Sequence, residues 1–205
     1  MTEEEKMIKG MIYDCNDPEL LKKRQHAHSL CAKLNRLTED DVAERETIIK
    51  ELLPNAAEGI YITGPVFFDY GCNFYSGKNF YCNFNFSVLD TCPVTIGDNV
   101  LIGPNVSINT PLHPLVASER AMYLSEKGYV TDKEYGKPVT IGSNCWIAAN
   151  VTITAGAKIG NNCVIGAGSV VTGEIPDGYL AYGVPAKPIR KITEKDSIYL
   201  KKGLF

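Results

Sequence analysis

The sequence predicts an all-β parallel β-helix that is preceded by an α-helical module and followed by a short tail helix. Three observations lead to this prediction. An apolar residue recurs at every sixth position in the second half of the chain, residues 109–138 interrupt that repeat, and apolar residues near the N-terminus follow helical spacing. The chain has 205 residues, of which 44 % are apolar, so it suits one core domain with a small helical addition.

The repeat consists of nine Ile or Val anchors that keep six-residue steps on both sides of the interruption. The anchors are Ile96, Ile102, Ile108, Ile141, Ile147, Ile153, Ile159, Ile165 and Val171. The residue after an anchor is usually small, as at Gly97 and Gly142, and the fourth residue after it is compact, as at Val100 and Val151. In a parallel β-helix such a unit supplies a short strand and a turn, and its anchor stacks on those of neighbouring coils. We therefore expect the β-helix over residues 57–178, with an inserted loop at 109–138.

The segment from Ile60 to Pro93 is interpreted as earlier and less regular coils. Aromatic residues replace the aliphatic anchors there, namely Phe67, Phe68, Phe74, Phe80, Phe84 and Phe86. Asparagines are interleaved with them at positions 73, 79, 83 and 85. Asparagine tolerates the left-handed backbone conformation of tight turns, so this composition also fits a coil with sharp corners.

Two further segments flank the repeat. Residues 1–56 are predicted to form a helical module, in which Asp17 and Pro18 start one helix and Pro54 ends another. The tail, residues 179–205, leaves the β-helix and ends in a basic stretch that is predicted to be helical. The inserted loop is rich in charge and tyrosine, and a loop of that length is usually functional or disordered.

Composition and charge exclude several classes of protein. A net charge of −3 gives no general attraction to nucleic acid. No apolar run approaches the ~20 residues that a membrane span needs. Seven cysteines without a CxxC pair fit reduced thiols in a cytoplasmic protein. Cys145 and Cys163 fall at interior positions of the repeat, so we interpret them as packing residues.

His113 is the strongest candidate for chemistry. It lies where the inserted loop leaves the repeat, and Pro111 and Pro114 constrain the backbone around it. A neutral imidazole can accept a proton near pH 7. From position alone, the alternative that His113 is a surface histidine without function stays open. His26 and His28 lie on a predicted helix and no His/Cys cluster has ligand spacing, so no metal site is expected. The sequence also lacks the Gly-x-Ser-x-Gly elbow of serine hydrolases.

Four segments together resemble the maltose, galactoside and nodulation-sugar O-acetyltransferases. They are Ile141–Ile147 (IGSNCWI), Val164–Thr172 (VIGAGSVVT), Gly183–Lys187 (GVPAK) and Thr110–Pro114 (TPLHP). The resemblance extends to the N-terminal module through Tyr13-Asp14 and Asp17–Leu20 (DPEL). It implies a left-handed β-helix, a homotrimer with active sites at subunit boundaries, acetyl-CoA as donor and a sugar hydroxyl as acceptor. His113 would then be the general base, and backbone N–H groups of a neighbouring coil would stabilise the oxyanion.

The same resemblance implies two sets of binding residues. The acceptor site would use Asp14, Asp69, Asn83 and Asp90, or Thr91 in place of Asp90. The coenzyme site would use Ala149, Ala167, Thr172 and Gly173, with Trp146 over the channel and Lys187 and Arg190 at the phosphates. The structural alternatives are turn residues for Asp69 and Asn83, a solvated tail for the two basic residues, and subunit packing for Trp146.

Three functions are compatible with the sequence. The first is a sugar O-acetyltransferase. The second is an acetyltransferase for another hydroxyl, such as that of serine or a xenobiotic, and residues 1–53 argue against it because those enzymes carry either no such module or a larger one. The third is a non-catalytic β-helix scaffold, which would not need a loop that bears a histidine.

Overall fold

A coil with an apolar anchor cannot bury that anchor alone, so the coils stack. The computed structural model describes residues 1–201, 203 and 204. Its coils form a left-handed parallel β-helix of about six turns, as predicted. Three flat faces of parallel strands enclose the core, and strands of adjacent coils pair in register. Ile147, for example, lies between Ile102 and Ile165.

Each face collects one strand from every coil. The first face contains Phe74–Ser76, Val94–Ile96, Val139–Ile141, Lys158–Ile159 and Glu174–Ile175. The second contains Tyr61–Ile62, Tyr81–Cys82, Leu101–Ile102, Trp146–Ile147, Val164–Ile165 and Tyr179–Gly183. The third contains Val66–Phe68, Phe86–Leu89, Ser107–Asn109, Thr152–Ile153 and Val170–Val171. We call the corner where the chain passes from the third face to the first the insertion edge, and the corner between the second and third faces the far edge.

The core of the β-helix is a single column of apolar side chains. All nine predicted anchors are buried, as are Cys145 and Cys163. In the early coils Phe68, Phe74, Phe80 and Phe86 replace the aliphatic anchors, with neighbouring ring centroids 5.3–6.3 Å apart. Phe67 and Phe84, by contrast, face outward and are half exposed. The aromatic interpretation of residues 60–93 therefore holds for four of the six phenylalanines.

Asparagines form the sharp corners. Seven of them have φ between 55° and 58°: Asn79, Asn85, Asn99, Asn105, Asn144, Asn150 and Asn162. Their side-chain amides stack from coil to coil, as where Asn99 Nδ2 donates to Asn144 Oδ1 at 3.0 Å and Asn144 Nδ2 donates to Asn162 Oδ1 at 3.1 Å. Asparagine thus supplies both the left-handed turn and a hydrogen bond to the next coil.

The N-terminal module contains α1 (Glu3–Ile8), α2 (Pro18–Leu34) and α3 (Val42–Leu52). Asp17 caps α2 by accepting from Glu19 N at 3.1 Å, as the Asp-Pro sequence predicted. Apolar residues of α2 and α3, including Leu34 and Leu52, join the same core as the first coil. The helices therefore close the end of the β-helix that would otherwise expose its core.

The insertion and the tail adopt more strand than expected. The insertion contains the short strands Pro111–Leu112, Tyr123–Leu124, Val130–Thr131 and Lys133–Gly136 and the 3-10 turn Ala117–Glu119. The second face continues past the predicted boundary at 178, because Tyr179–Gly183 pairs with Val164–Ile165. Ala186–Lys191 then folds back on that strand, and within residues 192–201 the predicted tail helix is present as two 3-10 turns, Glu194–Asp196 and Ile198–Leu200. In the described part of the chain, every helix is too short or too polar to cross a membrane.

Candidate active site

A small antiparallel sheet joins the insertion to the N-terminal module. Its central strand, Lys133–Gly136, pairs on one side with Tyr13–Asp14 and on the other with Pro111–Leu112. His113 follows the second of these strands directly. The sheet therefore brings the strand of Asp14 and the strand that precedes His113 together, although 99 positions separate the two residues.

His113 is half exposed and lies between two carboxylates. Its Nδ1 is 3.3 Å from Asp132 Oδ2, and its Nε2 is 3.7 Å from Glu134 Oε1. Asp132 and Glu134 are two residues apart on one strand segment, so they lie on the same face of it. The imidazole thus has solvent access together with a negative group near each ring nitrogen.

Each carboxylate uses its second oxygen on a buried residue of the N-terminal module. Asp132 Oδ1 accepts from Cys15 Sγ at 2.8 Å, and Glu134 Oε2 accepts from Tyr13 OH at 2.5 Å. Burial raises the pKa of the Cys15 thiol to about 12 and also raises the pKa of Tyr13, so both groups stay protonated near pH 7.

Sequence reasoning missed all four of these side chains. Side-chain atoms of Cys15, Asp132 and Glu134 lie within 4.8 Å of one another. A search for ligand spacing could not find this group, since Cys15 and Asp132 are 117 positions apart. The one signal in the sequence is the alternation of Tyr13 with Cys15 and of Asp132 with Glu134, which would place each pair on one face of an extended strand.

Asp14, a predicted acceptor residue, faces tyrosines of the insertion. Its carboxylate accepts from Tyr123 OH and from Tyr129 OH, the latter at 3.4 Å. Desolvation, followed by the charge of Asp14, raises the pKa of Tyr129 to about 12. The insertion therefore covers Asp14 with hydroxyl groups, which are the kind of partner that a sugar also offers.

Asp69 lies on the insertion edge, two coils from the start of the insertion. Pairing of Phe68 with Val88 and of Val88 with Ile108 places Asp69 two strand spacings, about 10 Å, from Asn109. Its Oδ1 is 3.3 Å from His28 Nε2, at a cavity of about 220 Å³ that Asn35 and Phe67 also line.

Asp90 does not fit the predicted acceptor role. It is fully buried, and its carboxylate accepts from Tyr70 N at 2.8 Å and from Asn73 N at 3.2 Å. Thr91, the alternative at this place, is also buried and contacts Thr110 Oγ1 at 3.0 Å. Both side chains hold the turns of the insertion edge together and present no surface to a ligand.

The remaining predicted residues divide between the two edges. Ala149 and Ala167 stack on the far edge, where Gly168 N donates to Ala149 O at 2.9 Å. Asn83 lies on the same edge, immediately after the strand that ends at Cys82. Thr172 and Gly173, however, follow the last strand of the third face and so lie on the insertion edge.

Trp146, expected over the coenzyme channel, and the predicted phosphate contacts Lys187 and Arg190 differ in their surroundings. Trp146 is half exposed on the second face, and Lys187 is exposed on the final hairpin. Arg190 forms a double ion pair with Asp196, at 2.7 and 2.8 Å. That pairing raises the pKa of Arg190 and satisfies its guanidinium, so a phosphate would have to replace Asp196 there.

Family models match most of this architecture. The maltose acetyltransferase hexapeptide capping motif matches residues 6–56, and the bacterial transferase hexapeptide model of six repeats matches residues 138–173. The hexapeptide repeat of succinyl-transferase matches residues 93–112. The fold and these matches together define a hexapeptide-repeat transferase.

Individual relatives narrow that class. The chain is 39 % identical to galactoside O-acetyltransferase of Escherichia coli K12, over 97 % of this chain and 93 % of that one. A maltose O-acetyltransferase from Clostridium difficile 630 superposes with a TM-score of 0.85 at 42 % identity, covering 95 % of this chain and 99 % of the other. A galactoside acetyltransferase in complex with coenzyme A gives a TM-score of 0.88 at 39 % identity, covering 98 % and 97 %. The chain belongs to the family of the maltose and galactoside O-acetyltransferases and is an acetyltransferase.

Proposed function

We propose that this protein transfers the acetyl group of acetyl-CoA to a sugar hydroxyl, with His113 as the general base. The observation that carries the proposal is the position of His113, half exposed on a structured loop between Asp132 and Glu134. Relatives that match nearly the whole chain are named as maltose and galactoside O-acetyltransferases, which supports a sugar as acceptor.

The proposed reaction is a direct acyl transfer. His113 removes the proton of the acceptor hydroxyl while its oxygen attacks the thioester carbonyl carbon. The tetrahedral oxyanion is stabilised by backbone N–H groups of a neighbouring coil. When it collapses, the C–S bond breaks and the imidazolium returns its proton to the coenzyme sulfur. The products are the acetylated sugar and free CoA, so protons balance without another reactant.

Donor binding is proposed along the late coils. A relative was solved with coenzyme A and another with acetyl-CoA. Small residues at Ala149, Ala167 and Gly173 leave the backbone accessible to the amides of the pantetheine arm, and a Cβ at Gly173 would meet no atom within 4 Å. Thr172, Trp146 and Lys187 complete the proposed donor site.

The proposed acceptor site combines Asp14 and Asp69 with Asn83 of the far edge. Within one coil the far edge and the insertion edge are six residues apart, as Gly103 and Asn109 are. Six residues of extended chain span as much as about 20 Å. A single sugar cannot bridge that distance, so two copies must each contribute one edge. We therefore propose a homotrimer whose sites lie between subunits. Each chain contains seven unpaired thiols, and this supports a location in the reducing cytoplasm.

The proposal is tested by measuring CoA release from acetyl-CoA with a panel of acceptors. We expect turnover with maltose, glucose or a galactoside and none with serine or a xenobiotic alcohol. His113→Ala should lower kcat by about 10²–10⁴-fold, because general base catalysis contributes that much. His26→Ala, which removes an exposed helix histidine paired with Glu51, is the matched control and should leave kcat unchanged. Full activity of His113→Ala would refute the proposed role.

A further inference from the structure

We propose that Asp132 is the positioning residue of His113, and that the Cys15 thiol determines which way Asp132 presents its acceptors. The inference rests on the proposed function, since it assigns the imidazole nitrogen that acts as the base. It goes further by giving the N-terminal module a part in setting the tautomer of a histidine on the insertion.

The two ring nitrogens of His113 have different surroundings. Nδ1 is 3.3 Å from Asp132 Oδ2, an ion-pair distance whose alignment falls short of a hydrogen bond, as is common for catalytic contacts before a substrate binds. Nε2 is 3.7 Å from Glu134 Oε1, which is too far for a hydrogen bond. A neutral imidazole carries one N–H and one lone pair. The N–H therefore belongs at Nδ1, facing Asp132, and the lone pair at Nε2, where it can accept the proton of a hydroxyl.

Asp132 is itself held in place. Its Oδ1 accepts from Cys15 Sγ at 2.8 Å, and the hydroxyl of Thr131 donates to its backbone carbonyl at 3.2 Å. Cys15 is buried, and burial keeps its pKa so high that the thiol is a donor rather than an acceptor near neutral pH. A thiol is a poor acceptor, so the Oδ1 position favours an oxygen, and the carboxylate supplies it while offering a second oxygen to His113.

This arrangement makes Asp132→Asn a specific perturbation. The Cys15 thiol selects the amide oxygen of the asparagine for the Oδ1 position. The amide NH₂ then faces His113 Nδ1, which must accept with its lone pair. The proton moves to Nε2, and the base loses its acceptor atom. The same logic explains why removing the thiol in that background should help: without Cys15 the amide can turn and offer its oxygen to Nδ1.

The chain is well suited to a direct measurement of the tautomer. It contains only three histidines, so ¹⁵N spectra of the imidazole nitrogens can be assigned with His26→Gln and His28→Gln. Wild-type protein at pH 8 should show the Nδ1–H form of His113. Asp132→Asn should show the Nε2–H form and a kcat that is lower by about 10²-fold, less than the ~10⁴-fold of a fully buried triad because Asp132 is partly exposed. The KM for acetyl-CoA should not change.

The double variant Cys15→Ala/Asp132→Asn provides the decisive comparison. We expect it to recover the Nδ1–H form and about 10-fold of the lost kcat, because no thiol then holds the amide oxygen away from His113. Cys72→Ala in the Asp132→Asn background is the control, because Cys72 is a half-buried thiol outside this sheet.

Two results would overturn the inference. One is an Asp132→Asn variant that keeps the Nδ1–H form with wild-type kcat. The other is a double variant that resembles the single variant in both tautomer and kcat. Spectra report on folded molecules, so lowered stability does not obscure the answer. If His113→Ala stays active while Asp132→Asn still inverts the tautomer, the proposed function fails and the positioning geometry stands.

Discussion

Asp90 illustrates how strongly one side chain can depend on its surroundings. Two backbone N–H groups donate to its carboxylate, and its own carbonyl accepts from Asn73 Nδ2 at 2.8 Å. Burial nevertheless raises the pKa of the Asp90 carboxyl to about 6, since desolvation outweighs these donors. The insertion edge is therefore held by a group that changes charge within an accessible range of pH.

This gives a prediction about stability. Between pH 4 and 6 the folded protein binds more protons at Asp90 than the unfolded chain does, so its contribution to the free energy of unfolding falls as the pH rises. Above pH 6 the free-energy penalty for burying the charged Asp90 carboxylate is complete. For a pKa shift of this size it is at most about 3 kcal/mol. In urea unfolding at fixed protein concentration, the advantage of wild type over Asp90→Asn should shrink by up to that amount from pH 4 to 7. A constant difference over this range would contradict it.

The candidate site was only partly predictable from the sequence, for a physical reason. His113 stands out locally, because two prolines and the break in the repeat mark it. Asp132 and Cys15 carry no local mark, since their roles arise from strand pairing between distant segments. Asp90 was assigned to the acceptor, but an aspartate that caps buried backbone and one that faces a ligand look the same in a sequence.

At the scale of elements, the asparagine corners combine a strained backbone with a hydrogen bond. Asn144 has φ of 58°, and its side chain links the coils that contain Asn99 and Asn162. Most other L-residues, such as alanine, would adopt the left-handed region at a cost of about 1–2 kcal/mol, whereas achiral glycine would not. The two contributions can be separated, because glycine loses the amide without the backbone strain.

We expect Asn144→Gly to lower the free energy of unfolding by about 1 kcal/mol, since exposed hydrogen bonds contribute little and glycine adds chain entropy. Asn144→Ala should cost about 2 kcal/mol or more, because it loses the amide and also strains the backbone. Urea titration of both variants checks this, with Lys158→Ala on the exposed first face as the control. Equal losses for glycine and alanine would argue against a strained corner.

Elements also show where sequence reasoning succeeds and fails. The six-residue anchors predicted the β-helix correctly, because each coil repeats one local rule. The sequence predicted a helical stretch at the end of the tail, where two 3-10 turns lie, but it did not predict the strands before it. The open edge of the last coil offers unpaired backbone groups, and Tyr179–Gly183 and Ala186–Lys191 satisfy them as strands. The need for backbone hydrogen-bond partners arises in the neighbouring coil, so the composition of the tail does not indicate it.

At the scale of the whole molecule, one chain carries two incomplete halves of the proposed site. His113, Asp69 and Thr172 lie toward the insertion edge, whereas Asn83 and Ala167 lie on the far edge. If neighbouring subunits join these edges, a cyclic assembly completes one site at each boundary.

Hybrid assemblies test that arrangement. His113→Ala disables the insertion edge, and Ala167→Trp should block the donor on the far edge. Each variant alone should be inactive, but random mixing by coexpression should restore about a quarter of wild-type activity, since each site then draws its two halves independently. Mixtures without activity would place both halves within one subunit. Light scattering on the wild-type protein should show a trimer.

The insertion has a consequence for how such an enzyme can diverge. Val139 pairs with Val94, and Trp146 pairs with Leu101, so the coils continue in register as if the intervening loop were absent. Lengthening a loop between fixed ends costs only about 0.6 kcal/mol for each doubling. Natural variation can therefore reshape the segment around His113, and under the proposed function the range of acceptors with it, while the scaffold keeps its thermal tolerance. Enzymes that share this scaffold can therefore change their substrate without a change of fold.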